Sequence, residues 1–189
     1  HNLRLFPDLA AGCSHFAVAA GANSGEGLFH GANEDLPLGL TLRDCLVRNV
    51  QVRCPKDRIA HLLFGTAGEA GGINGINARG VAVTSAMLLD LPRTPKARGG
   101  RLHGVLVKRI LEYAEDVDSA LEILRRTPRI ASGWGLLISH GPSDEVCYVE
   151  YHGATLAVRR GQSRVVAGNR SLQSEPLTPA PDHCRHRID

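Results

Sequence analysis

This 189-residue sequence predicts an α+β fold of the layered kind, two β-sheets packed face to face with helices over an outer face. Three observations carry that expectation. Short apolar runs bounded by turn residues fill 13–87, apolar positions at helical spacing occupy 102–126, and strand-like runs return over 134–168. A helical pair set in sequence between two β blocks is the order expected when helices pack on a sheet built from both blocks.

Residues 1–12 read as an irregular lead-in broken by Pro7, and 13–20 and 27–33 as paired strands joined by a turn rich in Gly and Asn. A second pair, 46–53 and 59–64, flanks Cys54-Pro55-Lys56-Asp57, whose Pro and Asp suit a turn. Residues 65–80 contain Gly72-Ile73-Asn74-Gly75-Ile76-Asn77-Ala78-Arg79-Gly80, a composition that predicts tight turns and close backbone approach. Lacking both GxGxxG and a Walker lysine, the segment is no phosphate cradle. Val81 to Met87 resumes a buried strand, and Leu91 to Gly100, with Pro92, Pro95 and several basic residues, is an exposed loop. Leu102, Leu106, Ile110 and Tyr113 have helical spacing; a second helix runs from Val117 to Arg126, with Asp116 as N-cap and Thr127-Pro128 as stop. Strands are expected at 134–139, 145–151, 154–159 and 163–168, punctuated by Gly141-Pro142-Ser143-Asp144, Gly153 and Gly161.

A hydrophobic content of 43% with interspersed charge is that of one soluble globular domain, and the net charge of +3 arises from 22 basic and 19 acidic residues without a basic stripe. Nucleic acid is therefore not an expected partner. No apolar stretch approaches the ~20 residues of a bilayer span, so no membrane partner is expected either; self-association stays open. Cys13, Cys45, Cys54, Cys147 and Cys184 are an odd set at uneven spacing, which points to reduced thiols and a cytoplasmic setting. The sequence opens on His and stops at Arg187-Ile188-Asp189 without an evident terminal element, so a fragment or processed product is expected.

Chemistry concentrates in Gly12-Cys13-Ser14-His15-Phe16-Ala17-Val18 and Gly31-Ala32-Asn33-Glu34-Asp35. A cysteine opening a strand can be a nucleophile uncovered by chain cleavage, and the hairpin would return Asp35 beside it. With Gly75-Ile76-Asn77-Ala78-Arg79-Gly80-Val81 and Gly168-Asn169-Arg170, and with the helical stretch Arg109 to Leu121, these segments occur in an order that resembles the acyl-coenzyme A:6-aminopenicillanic acid acyltransferase-like family of N-terminal-nucleophile hydrolases, from residue 12 onward. The resemblance implies a four-layer αββα sandwich over 13–189, with 1–12 as the end of a propeptide removed by self-cleavage between Gly12 and Cys13. It implies an amide hydrolase or acyltransferase that forms a thioester on Cys13, using its own α-amine as base and a small amide or acyl compound as substrate. Asp35 would orient that amine, Asn169 would donate to the oxyanion, and no cofactor or metal is required.

The sequence departs from the pattern at four places. Ala32 stands where related hydrolases carry Arg, and Met87 or its apolar neighbours where they carry Asn, which disfavours a carboxylate-bearing substrate. Arg170 replaces a frequent His, and family members continue past the segment resembling Asp182 to Arg187, so part of the site is expected to be missing. Two rival readings stand beside the enzyme. One is a noncatalytic ligand-binding or assembly domain on the same scaffold; the other is a zinc-dependent nucleic-acid binder using His183, Cys184 and His186 with the basic residues Arg93, Lys96, Arg98 and Arg101. His15 and His30 fall near the hairpin and are assigned no role, and Asp35 and Asn169 each also suit a plain turn.

Overall fold

The computed structural model describes residues 12–35, 48–68, 70–89, 100–128, 133–152 and 155–172. Three antiparallel strands, β1 (Gly12–Val18), β2 (Phe29–Asp35) and β10 (Arg164–Ala167), form a small sheet in the order β10-β1-β2. Seven more, β3 (Arg48–Arg53), β4 (His61–Thr66), β5 (Asn74–Asn77), β6 (Val81–Met87), β7 (Trp134–His140), β8 (Glu145–His152) and β9 (Thr155–Arg159), form an antiparallel meander in chain order. Helices α1 (His103–Tyr113) and α2 (Val117–Arg126) lie against the larger sheet. Among the described residues the layers run helices, large sheet, small sheet, and no helix is long and apolar enough to cross a membrane.

The central strands are apolar without interruption because both of their faces are covered. Leu136 and Ile138 of β7 join Val81, Val83, Leu106, Ile110 and Leu121 beneath the helices; Leu137, between them, turns to the small sheet with Tyr148, Ala17, Val165 and Ala167. The helices end as their sequences dictate. Asp116 accepts from the Ser119 amide at 2.8 Å while Ser119 Oγ accepts from the Asp116 amide at 3.0 Å, a reciprocal cap. Val117, Ala120, Leu121 and Leu124, spaced for one helical face, are the residues α2 buries.

The glycine-rich segment differs from its reading. Asn74–Asn77 is a strand, and Gly75 serves packing rather than a turn: a Cβ there would lie 2.3 Å from Leu111 Cδ1 and 2.4 Å from the Leu62 carbonyl. Asn77, 5% exposed, then fastens α1 to the sheet. Its Nδ2 donates to the carbonyls of Leu111 (3.1 Å) and Ala114 (2.7 Å), and its Oδ1 accepts from the amides of Arg79 and Val81, both at 3.0 Å. Asn77→Ala strands four backbone groups and is expected to cost roughly 2–3 kcal/mol. In urea titration this appears as a lower midpoint at unchanged slope; an unmoved midpoint would show the clamp to be dispensable.

Candidate active site

The site lies where β1 begins. Side chains alternate along a strand, so Cys13, His15 and Ala17 share the face turned to the larger sheet, and their ladder partners Glu34, Ala32 and His30 on β2 share it too. Cys13 is half-buried. Its backbone N–H donates to Asn169 Oδ1 at 2.5 Å, Asn169 Nδ2 donates to the Met87 carbonyl at 2.8 Å, and the Leu89 amide donates to the Asn169 carbonyl at 2.9 Å. Asn169, 3% exposed, thus joins the start of β1 to the end of β6. The turn that carries it is anchored by Glu150 of β8, which accepts from Ser171 Oγ at 2.5 Å and from the Leu172 amide at 2.6 Å.

Burial, then the carboxylate of Glu34, then that of Asp35 push the Cys13 thiol above its ordinary value, while hydrogen bonds from the Asn169 side chain and the Met87 backbone amide pull it down. Asn169 and Met87 thus flank the thiol. The Asn169 amide nitrogen carries two hydrogens, of which the Met87 carbonyl takes one. The resulting thiol is protonated at neutral pH and needs a base to become a nucleophile.

The structure places Gly12, Cys13, Asp35 and Asn169, the residues the sequence singled out, at one corner, with one shift. The hairpin pairs Asp35 with Gly12, and the residue opposite Cys13 is Glu34. Asn33 Nδ2 donates to Asp35 Oδ1 at 2.7 Å, and Arg48 of β3 pairs with Glu34 at 2.9 Å. Glu34, Arg48 and the backbone of Met87 are absent from the sequence reading. For Glu34 the signal existed, since strand alternation admits one of two adjacent acids to the face of Cys13, but hairpin register decides which.

His15 and His30, without a role in the sequence reading, lie between the sheets. His15 Nδ1 and His30 Nε2 both reach Thr84 Oγ1, at 3.2 and 2.8 Å, and His30 Nδ1 reaches Ser139 Oγ at 2.6 Å. Thr84 has one hydroxyl proton, so it donates to at most one of the two rings and the other ring donates to it. Burial lowers both imidazoles to about 4, helped for His15 by the neighbouring His30, and both are neutral.

Among the described residues no group of three His, Cys, Asp or Glu side chains could hold a metal ion. Arg93, Lys96, Arg98, His183, Cys184 and His186 lie outside the described residues, as does Cys45, while Arg101 is exposed. Cys54 and Cys147 are free thiols, the first exposed and the second buried and pushed up to about 12 by that burial.

No protein-family model and no curated protein matches the sequence. Solved structures do match the fold. An N-acylethanolamine-hydrolyzing acid amidase ortholog from Caenorhabditis elegans aligns with TM-score 0.59 at 12% identity, over 84% of this chain and 70% of that one. Two variants of the conjugated bile acid hydrolase from Clostridium perfringens align with TM-scores of 0.56 and 0.51 at 12% and 11% identity, over 80% and 81% of this chain. The chain spans 52% of each bile acid hydrolase. At such identity the likeness concerns architecture alone, and the helix, large-sheet and small-sheet layers described above fit the αββα sandwich of the N-terminal-nucleophile hydrolase type.

Proposed function

We propose that this chain is a thiol-dependent amide hydrolase of the N-terminal-nucleophile type, maturing by cleavage between Gly12 and Cys13 and acting on a small amide or acyl compound. The observation that carries this reading is the bond from the Cys13 backbone N–H to Asn169 Oδ1, which already holds the nitrogen that cleavage would free, with Asn169 fastened in turn to the Met87 carbonyl. In maturation the thiol attacks the Gly12 carbonyl, the peptide C–N bond breaks as a thioester forms, and water hydrolyses the thioester to release the segment ending at Gly12. The freed amine, with an ordinary pKa of ~7.7–8.0, then takes the thiol proton near neutral pH and later delivers it to the leaving amine of a substrate. Asp35, opposite Gly12, would hold that amine, and the Asn169 side-chain amide would donate to the oxyanion. Water resolves the acyl-enzyme to a carboxylic acid; an amine acceptor in its place would make the chain an acyltransferase of the kind its motifs resemble.

Intact mass and amino-terminal sequencing test maturation. The wild-type chain is expected to begin at Cys13 after incubation under native conditions, and Cys13→Ala to keep the Gly12–Cys13 bond and to hydrolyse no chromogenic amide. A folded wild-type chain that keeps this bond and releases no chromophore overturns the proposal in favour of a noncatalytic domain.

A further inference from the structure

We propose that Glu34 and Arg48 are a positioning pair for Cys13, in which Glu34 sets a carboxylate across the β1–β2 ladder from the nucleophile and Arg48, reaching over from the larger sheet, fixes that charge in place. The inference rests on the reading of Cys13 as nucleophile and concerns the control of its reactivity. Glu34 is the ladder partner of Cys13, and directly opposed residues of an antiparallel pair share a face with Cβ atoms about 5 Å apart. Arg48 stands at the first position of β3, on another sheet. Its Nη2 lies 2.9 Å from Glu34 Oε1, and its Nη1 donates to Oγ1 of Thr66, its own ladder partner, at 3.4 Å. The guanidinium is therefore braced from two sides.

Cohesion of the sheets does not account for the pair. The two side chains are 40% and 25% exposed, and ion pairs that open to solvent contribute little to stability. Ala17, Leu137, Val146, Tyr148, Val165 and Ala167 already seal the space between the sheets. The place of the pair relative to the thiol does account for it. Around Cys13, β2 brings the negative Glu34 and Asp35, β3 brings the positive Arg48, β1 brings a neutral His15, and β6 brings uncharged Ala86 and Met87; Arg170 follows the uncharged Asn169. Two negative charges thus face one positive charge across the pair. Glu34 holds the thiol in its protonated form, as the direction of its effect on Cys13 agrees, and Arg48 limits that hold. The pair thus sets how readily the thiol gives up its proton, both in maturation and in turnover.

The pair makes opposite-signed predictions for its two members. Carbamidomethylation of Cys13 by iodoacetamide is followed from pH 6.5 to 9.5 in the full chain, resolved by peptide mass spectrometry, with exposed Cys54 at the far end of β3 as internal reference. Glu34→Gln is expected to speed Cys13 labelling severalfold at pH 7.5, and Arg48→Gln, which releases the Glu34 charge from its partner, to slow it. Arg48→Lys should stay near wild type, and salt at 1 M should speed wild-type Cys13 labelling relative to Cys54 without any mutation. Glu34→Gln and Arg48→Gln moving the profile in the same direction, or wild-type labelling indifferent to salt, overturns the pair. Labelling needs no substrate, so the two proposals fail separately. A chain that matures and hydrolyses amides with unshifted profiles loses only the pair; one that shows the shifts and cleaves no amide loses only the enzyme reading.

Discussion

Acidification from pH 7.5 to 4.5 is expected to remove roughly 7 kcal/mol of folding stability, comparable to the whole of a typical domain's margin. The cause is three imidazoles buried in neutral form. His15 and His30 between the sheets are lowered to about 4, and His103, the first residue of α1, is lowered to about 3 where its ring stacks on Trp134 at 3.7 Å and its Nδ1 meets the Tyr151 hydroxyl at 2.6 Å. In the unfolded chain a histidine titrates near ~6.5, so below that pH the unfolded state binds protons that the folded state refuses. Stability from these groups is complete above ~6.5 and falls as the pH drops toward the folded values, by about 2.5 kcal/mol each at pH 4.5. The sum is an upper bound, since His15 and His30 share Thr84. Most Asp and Glu side chains are still ionised in this window, which separates the effect from ordinary acid denaturation. Urea titrations at pH 7.5, 6.5, 5.5 and 4.5 read it, and His30→Gln should flatten the decline. A midpoint that holds steady down to pH 4.5 would mean the imidazoles charge in place without penalty.

Asn169→Asp is expected to lower the acylation rate of the matured chain by about 10²–10³, the loss seen when one donor is taken from a developing oxyanion. The substitution keeps Oδ1 as acceptor for the Cys13 nitrogen while removing both hydrogens of Nδ2, so the Met87 carbonyl loses its donor and the thiol gains a negative neighbour. The thiol rises further above its ordinary value, since a lowering contact becomes a raising one. Asn169→Ala should lose acylation as well, with roughly 1–3 kcal/mol of stability from the unpaired Met87 carbonyl and Cys13 amide. The readout is the burst of product from an activated ester together with the thermal midpoint. Wild-type acylation by Asn169→Asp would return Asn169 to a turn residue that ties β1 to β6.

Much of the layering could be read from the chain because periodicity and punctuation agreed locally. The second helix has its predicted cap and stop at Asp116 and Thr127, and β7 and β8 follow from apolar runs that only strands covered on both faces require. Asn74–Asn77 escaped because its pairing is set by the close approach of Leu111 to Gly75, a tertiary demand with no local pattern. At the site, residue types pointed to Cys13, Asp35 and Asn169, and the structure brings all three together. What sequence could not supply was register and long-range reach. Glu34 rather than Asp35 faces Cys13, Arg48 arrives from the other sheet, and the Met87 contribution is made by backbone, which any side chain would leave unchanged.

The small sheet closes across almost the whole polypeptide. His15 pairs with Ala167, and the bond from Cys13 to Asn169 spans 156 positions. The meander of the larger sheet and its helices joins neighbours in sequence and can condense early, whereas β1 acquires its second flanking strand only when the last described strand arrives. During synthesis Cys13 therefore sits on a hairpin that has neither the asparagine that grips its nitrogen nor the turn that presents it. Arrival of β10 and of the turn bearing Asn169 is the event that assembles this corner, after the strands of the larger sheet have had the chance to pair.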